Sequence, residues 1–307
     1  MRAFLFPGQG SQAVGMGKVL AEASAAARDV FGEVDEALKQ KLSLLMAEGP
    51  QEELTLTENA QPAIMANAIA TLRASGIDLA AKANFVAGHS LGEYSALCAA
   101  GTFDLATTAR LLKRRGQAMQ AAVPVGQGAM AAILGADLAT AQVIAETAAE
   151  GQVCTVANDN DPSQVVISGH REAVERALPI AKEKGAKRAI LLPVSAPFHC
   201  ALMQPAADAM AEALGEASLR DPSVPLYANV TAAPVEEAGE IRQLLVAQVT
   251  GMVRWRESVA AMTDAGVTQF VELGAKVLGP MVKRISPDAS VISVVTPDDI
   301  DALFKEI

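Results

Sequence analysis

Three cysteines in 307 residues, Cys98, Cys154 and Cys200, form an odd set with no C-x-x-C spacing. Neither a disulfide framework nor a zinc site is indicated, and the three are expected as reduced, mostly buried thiols. Long apolar runs are missing too. No stretch approaches the roughly 20 residues that cross a bilayer, and the apolar start Ala3 to Phe6 stops at Pro7, too soon for the core of a signal peptide. A cytoplasmic protein without a membrane partner is the expectation. Basic residues are outnumbered, 25 Lys and Arg against 35 Asp and Glu for a net charge of −10, which disfavours nucleic acid as a partner. Repeats and low-complexity tails are absent, and a monomer is the default state.

What is present is apolar: 51% hydrophobic residues against 20% charged, enough for one large core or two modest ones. Ala3 to Phe6 reads as a buried strand, and the Ala-rich stretch Met16 to Met46 as helix, with a break expected near Phe31-Gly32 and an end at Gly49-Pro50. A helix from Asn59 to Ala74, a strand from Asn84 to Ala87, and helices Leu91 to Ala100 and Asp104 to Val123 follow. Strand alternating with helix implies a parallel α/β sheet.

Between Gly126 and Val194 the order changes to strand Ala129 to Leu134, helix Asp137 to Glu150, strands Val153 to Val156 and Gln164 to Ser168, helix Glu172 to Lys184 and strand Arg188 to Leu192. That βαββαβ order is ferredoxin-like, with Ala157 to Pro162 (ANDNDP) expected as a polar turn between the middle strands. Residues 125–194 therefore read as a small unit inserted between 1–124 and 195–307. Strands near Leu226 to Asn229, Gln269 to Glu272 and Val291 to Val294 resume the larger pattern.

Gly88-His89-Ser90-Leu91-Gly92 has the G-x-S-x-G form between a strand and a helix, the context of a nucleophile elbow. Its glycines permit the tight turn that lifts Ser90 out of the sheet, and the Leu91 amide at the helix start is placed to meet an oxyanion. A chance match in a loop is the alternative. A serine hydroxyl needs a base, and only three histidines exist. His89 adjoins the serine, where neighbouring side chains diverge, and His170 opens a helix of the small unit. His199, in the Pro-flanked loop PVSAPFHC, is the candidate base, against a structural loop histidine.

The turn Gly8-Gln9-Gly10 after the first strand imitates a dinucleotide fingerprint, but the acidic residue about 20 positions on, Asp29, falls inside a helical stretch. A close-approach turn aiming Gln9 at an oxyanion accounts for the glycines equally well. Arg115 is either a solvated charge or a reader of a substrate carboxylate, a group that Arg clamps bidentately and Lys does not.

Together, FPGQGSQ at Phe6 to Gln12, GHSLGEYSAL at Gly88 to Leu97, RGQAMQ at Arg115 to Gln120, ANDNDPSQVVISG at Ala157 to Gly169 and PFHC at Pro197 to Cys200 resemble the malonyl-CoA:acyl carrier protein transacylase family of bacterial type II fatty acid synthesis. The resemblance implies an α/β-hydrolase-like large subdomain beside the ferredoxin-like one, and malonyl transfer from malonyl-CoA to acyl carrier protein through a malonyl-serine. It implies Ser90 as nucleophile and His199 as base. The amides of Gln9 and Leu91 would form the oxyanion hole, and Arg115 would bind the malonyl carboxylate. The Gln248 carbonyl would orient the histidine, and Asn158 and Phe198 would line the substrate cleft. No metal or cofactor is implied. Met252 stands where the family often has proline. An acidic carrier would need a local basic face, for which Lys113, Arg114, Lys182, Lys184, Lys187, Lys276, Lys283 and Arg284 are candidates. An acyl hydrolase, a non-catalytic nucleotide-binding module, and the same transferase in a polyketide pathway are the rival readings.

Overall fold

A computed structural model describes every residue from Met1 to Ile307 and has a mixed α/β architecture built on two sheets. The strands are β1 (Arg2–Phe6), β2 (Phe85–Gly88), β3 (Gly128–Leu134), β4 (Cys154–Asp161), β5 (Gln164–His170), β6 (Arg188–Leu191), β7 (Leu226–Ala228), β8 (Ala233–Val235), β9 (Gln269–Leu273) and β10 (Ser290–Val294). Among them run α1 (Lys18–Ala23), α2 (Ala25–Leu38), α3 (Leu42–Glu48), α4 (Gln51–Thr55), α5 (Thr57–Ser75), α6 (Leu79–Lys82), α7 (Gly92–Ala99), α8 (Leu105–Ala121), α9 (Leu138–Ala149), α10 (Arg171–Glu183), α11 (Gln204–Glu216), α12 (Ala238–Thr250), α13 (Trp255–Asp264), α14 (Leu278–Ile285) and α15 (Pro297–Leu303).

The larger sheet has the order β10-β9-β1-β2-β7-β8 and is parallel except for β8. Its central strand β1 is apolar from Ala3 to Phe6 because both faces are covered there. Phe4 and Phe6 enter the main core with α5, α7 and α8, while Ala3 and Leu5 meet Trp255, Val259 and Val282 of α13 and α14 on the other side. Phe6 lies opposite Gly88. The loops leaving β1 and β2 thus emerge side by side at the carboxyl edge, where parallel sheets bind ligands.

The smaller sheet is antiparallel, in the order β4-β5-β3-β6. Ala131, Ile133 and Ile167 face α9 and α10, whereas Met130, Ala132 and Val166 on the reverse face belong to the main core. The two sheets therefore share packing, and the site lies between them.

Two expectations need correction. Ala157 to Pro162 is not a turn: β4 continues through Asp161 as an edge strand bent by two register shifts. Its edge bonds to Val253, with Asp159 N–H on the Val253 carbonyl at 2.9 Å and Val253 N–H on the Ala157 carbonyl at 2.8 Å. Asp159 and Asp161 are buried there because Arg256 and Arg284 of α13 and α14 each approach them to 2.8 Å. Charged groups are buried when paired, and the pairing partners lie about a hundred residues away in sequence, out of sight of any local pattern. Likewise Met16 to Met46 is three helices. Ser24 interrupts it by capping α2, its hydroxyl accepting from Ala27 N–H at 3.3 Å, and left-handed Lys39 closes α2. Gly32, the expected break, sits inside α2. The short β8 carries no sequence signal and had no counterpart in the expected pattern.

Candidate active site

Ser90 occupies the turn between β2 and α7 with φ at 55°, a left-handed conformation costly for a residue with a side chain. The flanking glycines are needed for close approach. A Cβ on Gly88 would lie 1.9 Å from the Gly92 backbone, and one on Gly92 would lie 2.2 Å from the Phe6 carbonyl oxygen.

His199 arrives from the loop after β6, with Nε2 at 2.8 Å from Ser90 Oγ and Nδ1 at 2.9 Å from the Gln248 carbonyl. A carbonyl only accepts, so Nδ1 holds the proton and Nε2 is bare. That tautomer accepts the Ser90 hydroxyl hydrogen. Burial, reinforced by the Arg115 charge, lowers the His199 pKa to about 3, so the ring is neutral around pH 7.

Arg115 projects from α8 and is 1% exposed, which removes the solvated-charge alternative. Its Nη2 donates to Ser90 Oγ at 3.1 Å and to Gln248 Oε1 at 2.9 Å, and Nη1 donates to Gln61 Oε1 at 2.9 Å. Tyr94 lies beneath the guanidinium, 5.7 Å from ring centre to Cζ. All three oxygens are on neutral groups. The cation is thus held in place by partners that leave its charge free for an anion.

A cavity of about 430 Å³ opens over these groups and is lined by Gln9, Leu91, Asn158 and Phe198 together with Ser90, Arg115 and His199. Gln248 lies behind it, fully buried. Every site residue singled out in the sequence is therefore brought to one place. The Gln9 and Leu91 amide N–H groups have no acceptor within the protein, while the Gln9 side chain is tied back to Thr57 at 3.2 Å. A larger groove of about 590 Å³ runs over α1, α2 and α3 and is lined by no histidine or cysteine.

Neither of the other histidines bonds to the Ser90 hydroxyl, although His89 lines the same cavity. His89 packs beside Trp255 with Nε2 at 2.8 Å from Asn160 Oδ1, and His170 accepts from Val153 N–H at the start of α10. After Gly10 no helix begins until Lys18, so the glycine turn lacks the helix N-terminus that a pyrophosphate site uses. Of the basic candidates, Lys113, Arg114, Lys276 and Arg284 are engaged by Glu58, Glu212, Asp299 and Asp161.

Three residues of the site had no sequence assignment. Gln61 holds Arg115 from α5. Asn229, just past β7, accepts the Ser90 N–H at 2.8 Å, and Glu93 of α7 binds both Asn229 and Gln248. Glu93 lies within the GHSLGEYSAL motif, which is the one signal that could have flagged it; nothing local marks the other two.

Residues 3–283 match the acyl transferase domain family. The chain is 48% identical over 310 aligned positions to the malonyl CoA-acyl carrier protein transacylase of Bacillus subtilis (strain 168), covering 99% of this chain and 96% of that one. Among solved structures it resembles an acyl-carrier-protein S-malonyltransferase from Bartonella henselae, at 54% identity and a TM-score of 0.97 over 99% of this chain and 98% of the other. A malonyl-transacylase in complex with its type II PKS acyl-carrier protein is 41% identical, with a TM-score of 0.97 over 100% and 99% of the two chains.

Proposed function

The chain belongs to the acyl transferase domain family, as a full-length relative of the malonyl CoA-acyl carrier protein transacylases, and from that membership we propose that it transfers malonyl from malonyl-CoA to the phosphopantetheine thiol of acyl carrier protein. One observation carries the reading: Ser90 Oγ contacts a neutral imidazole and a buried arginine at once.

His199 Nε2 takes the hydroxyl proton as Ser90 Oγ attacks the thioester carbonyl. The Gln9 and Leu91 amides receive the oxyanion, the contribution that is usually largest in acyl transfer. Collapse expels the CoA sulfur, protonated by His199, and leaves malonyl on Ser90. The carrier thiol then gives its proton to the same nitrogen, attacks the ester and restores the serine. Arg115 holds the malonyl carboxylate throughout, Gln248 keeps the imidazole in the required tautomer through its carbonyl, and Asn158 and Phe198 shape the acyl and pantetheine path. A Ser-His dyad suffices without a carboxylate as third member, and no metal or cofactor takes part.

The two sheets support a division into an α/β-hydrolase-like subdomain, 1–124 with 195–307, and a ferredoxin-like subdomain, 125–194. A parallel sheet bearing an elbow serine supports the first. The βαββαβ order with strand arrangement β4-β5-β3-β6 supports the second. No helix is long and apolar enough to cross a membrane, in keeping with a cytoplasmic enzyme that supplies fatty acid elongation. Lys182, Lys184 and Lys187, without carboxylate partners at the end of α10 and the start of β6, offer an acidic carrier a basic face.

The test is to incubate the protein with malonyl-CoA alone, read the intact mass and the modified peptide, and then add a phosphopantetheinyl carrier. Malonyl on the Ser90 peptide, discharged by the carrier, is the expected result. Steady release of malonate without an adduct would instead identify a hydrolase, and no adduct with no turnover would refute the malonyl reading. A polyketide carrier is the second reading, favoured by the similarity to a transacylase in complex with a type II PKS carrier, and relative turnover with the two carrier types separates it.

A further inference from the structure

We propose that Glu93 and Asn229 are positioning residues for the transfer reaction, locking the backbone of Ser90 and the side chain of Gln248 into one arrangement. The proposal rests on Ser90 being the acylated nucleophile.

A left-handed serine at a strand-to-helix turn cannot place its own N–H and C=O in either regular ladder. Here both are held from outside. Asn229 Oδ1 accepts the Ser90 N–H at 2.8 Å, and Asn229 Nδ2 donates to the Gly88 carbonyl at 2.7 Å, spanning the elbow. Gln248 Nε2 donates to the Ser90 carbonyl at 2.9 Å, beside the Glu93 N–H at 3.0 Å. The two braces converge on Glu93, which is 2% exposed. Its Oε1 accepts the Asn229 N–H at 2.9 Å, and its Oε2 accepts from Gln248 Nε2.

The chemistry of this node is one-sided. Both partners of the Glu93 carboxyl donate and neither accepts, so the ionised form is the one this geometry satisfies. Burial nevertheless outweighs those hydrogen bonds and the Arg115 charge and raises its pKa to about 8. Gln248 then passes the constraint on three ways: its carbonyl to His199, its Oε1 to Arg115, its Nε2 to Ser90. One carboxyl group therefore sets the relative placement of nucleophile, base and carboxylate reader without touching substrate.

Glu93→Gln keeps the shape but turns an amide NH2 toward one of two N–H donors. Displacement of a reacting group by about 1 Å costs about 100-fold, so kcat should fall about 10 to 100-fold while KM for malonyl-CoA changes by less than about 3-fold. Asn229→Ala should show the same split, and decides the matter if Glu93→Gln does not fold. Glu272→Gln is the control, since Glu272 is also a buried carboxylate but receives the N–H groups of Val277, Leu278 and Gly279 at the start of α14. It should lower Tm and leave kcat alone. Wild-type kcat in Glu93→Gln, or a kcat loss that Glu272→Gln shares, overturns the proposal. Wild-type enzyme assayed beside the variants separates the failures: no malonyl on its Ser90 sinks the functional reading and this one with it, whereas an adduct there with unchanged variant rates sinks this one alone.

Discussion

Nη2 of Arg115 lies 3.1 Å from Oγ of Ser90, so the group proposed to hold the substrate's carboxylate also touches the proposed nucleophile. That proximity acts as a ruler. In a malonyl ester the free carboxylate is only two C–C bonds from the ester carbonyl carbon, and an arginine so close to Oγ suits a three-carbon diacid better than a longer one.

Arg115→Met should therefore lower the malonylation rate of Ser90 by about 10 to 150-fold, the loss of a charge-assisted contact of about 1.5–3 kcal/mol, while acetylation falls less or rises. Single-turnover loading from the two CoA thioesters measures the ratio. Arg115→Lys should not restore it, because one ammonium cannot span Gln61 and Gln248 as the guanidinium does. Equal losses for both acyl groups would remove Arg115 from substrate reading.

The low pKa of His199, about 3, fixes a pH response. Labelling of Ser90 by an uncharged fluorophosphonate should stay flat from pH 8 to about pH 5, where an ordinary histidine near 6.5 would already have lost most of its base form. For stability the sign is the same. Between about 6.5 and 3 the unfolded chain takes up a proton that the folded ring refuses, so the contribution is whole above pH 6.5 and lost as pH falls toward 3. Half-maximal labelling near pH 6.5 would show an imidazole open to water. Arg115→Met removes the second cause of the shift and should move the acid limb upward.

Gly92→Ala places a methyl carbon 2.2 Å from the Phe6 carbonyl oxygen, a backbone atom at the carboxyl end of β1. Overpacking of this kind costs about 1–3 kcal/mol. Urea denaturation should show a lowered midpoint, and fluorophosphonate labelling should be lost. A variant with unchanged stability and labelling would mean that α7 can retreat from β1, contrary to the close packing described.

Arg284→Met leaves Asp161 buried without its cation, with only Ser163 still donating to its other oxygen. Leaving one buried carboxylate oxygen without a donor costs about 1–3 kcal/mol, although the half-exposed arginine shows that water can reach this end. Tm should drop, and Asp161→Asn in the same chain should recover part of the loss. No recovery would place the effect in the alkyl packing of Arg284.

Legibility in the sequence followed range. The elbow is a five-residue pattern whose glycines and serine answer to the same local turn, and His199 stood out because only two other histidines compete with it. Arg115 could be placed on a helix but not on the buried side, since α8 presents both packed and exposed charges. Asn229 and Gln61 were illegible because their partners lie far along the chain, Ser90 at 139 residues from Asn229 and Arg115 at 54 from Gln61. The same holds for the polar run of β4. Its composition spells a turn, and the arginines that make it a buried strand are contributed by α13 and α14.

β1 lies between β2 and β9 although Leu5 and its partner Glu272 are at opposite ends of the chain. Of these ten strands, the one made earliest is thus among the last to be completed on the ribosome. All four strands of the small sheet emerge earlier, within residues 128–191, and can close locally while one edge of β1 stays open and Ala3 and Leu5 await α13 and α14. Contacts of such long range form slowly and leave unpaired edges exposed. A nascent chain halted before Gln269 carries Ser90 and His199 but presents a bare strand edge to its neighbours, a template for aggregation in place of a smaller enzyme.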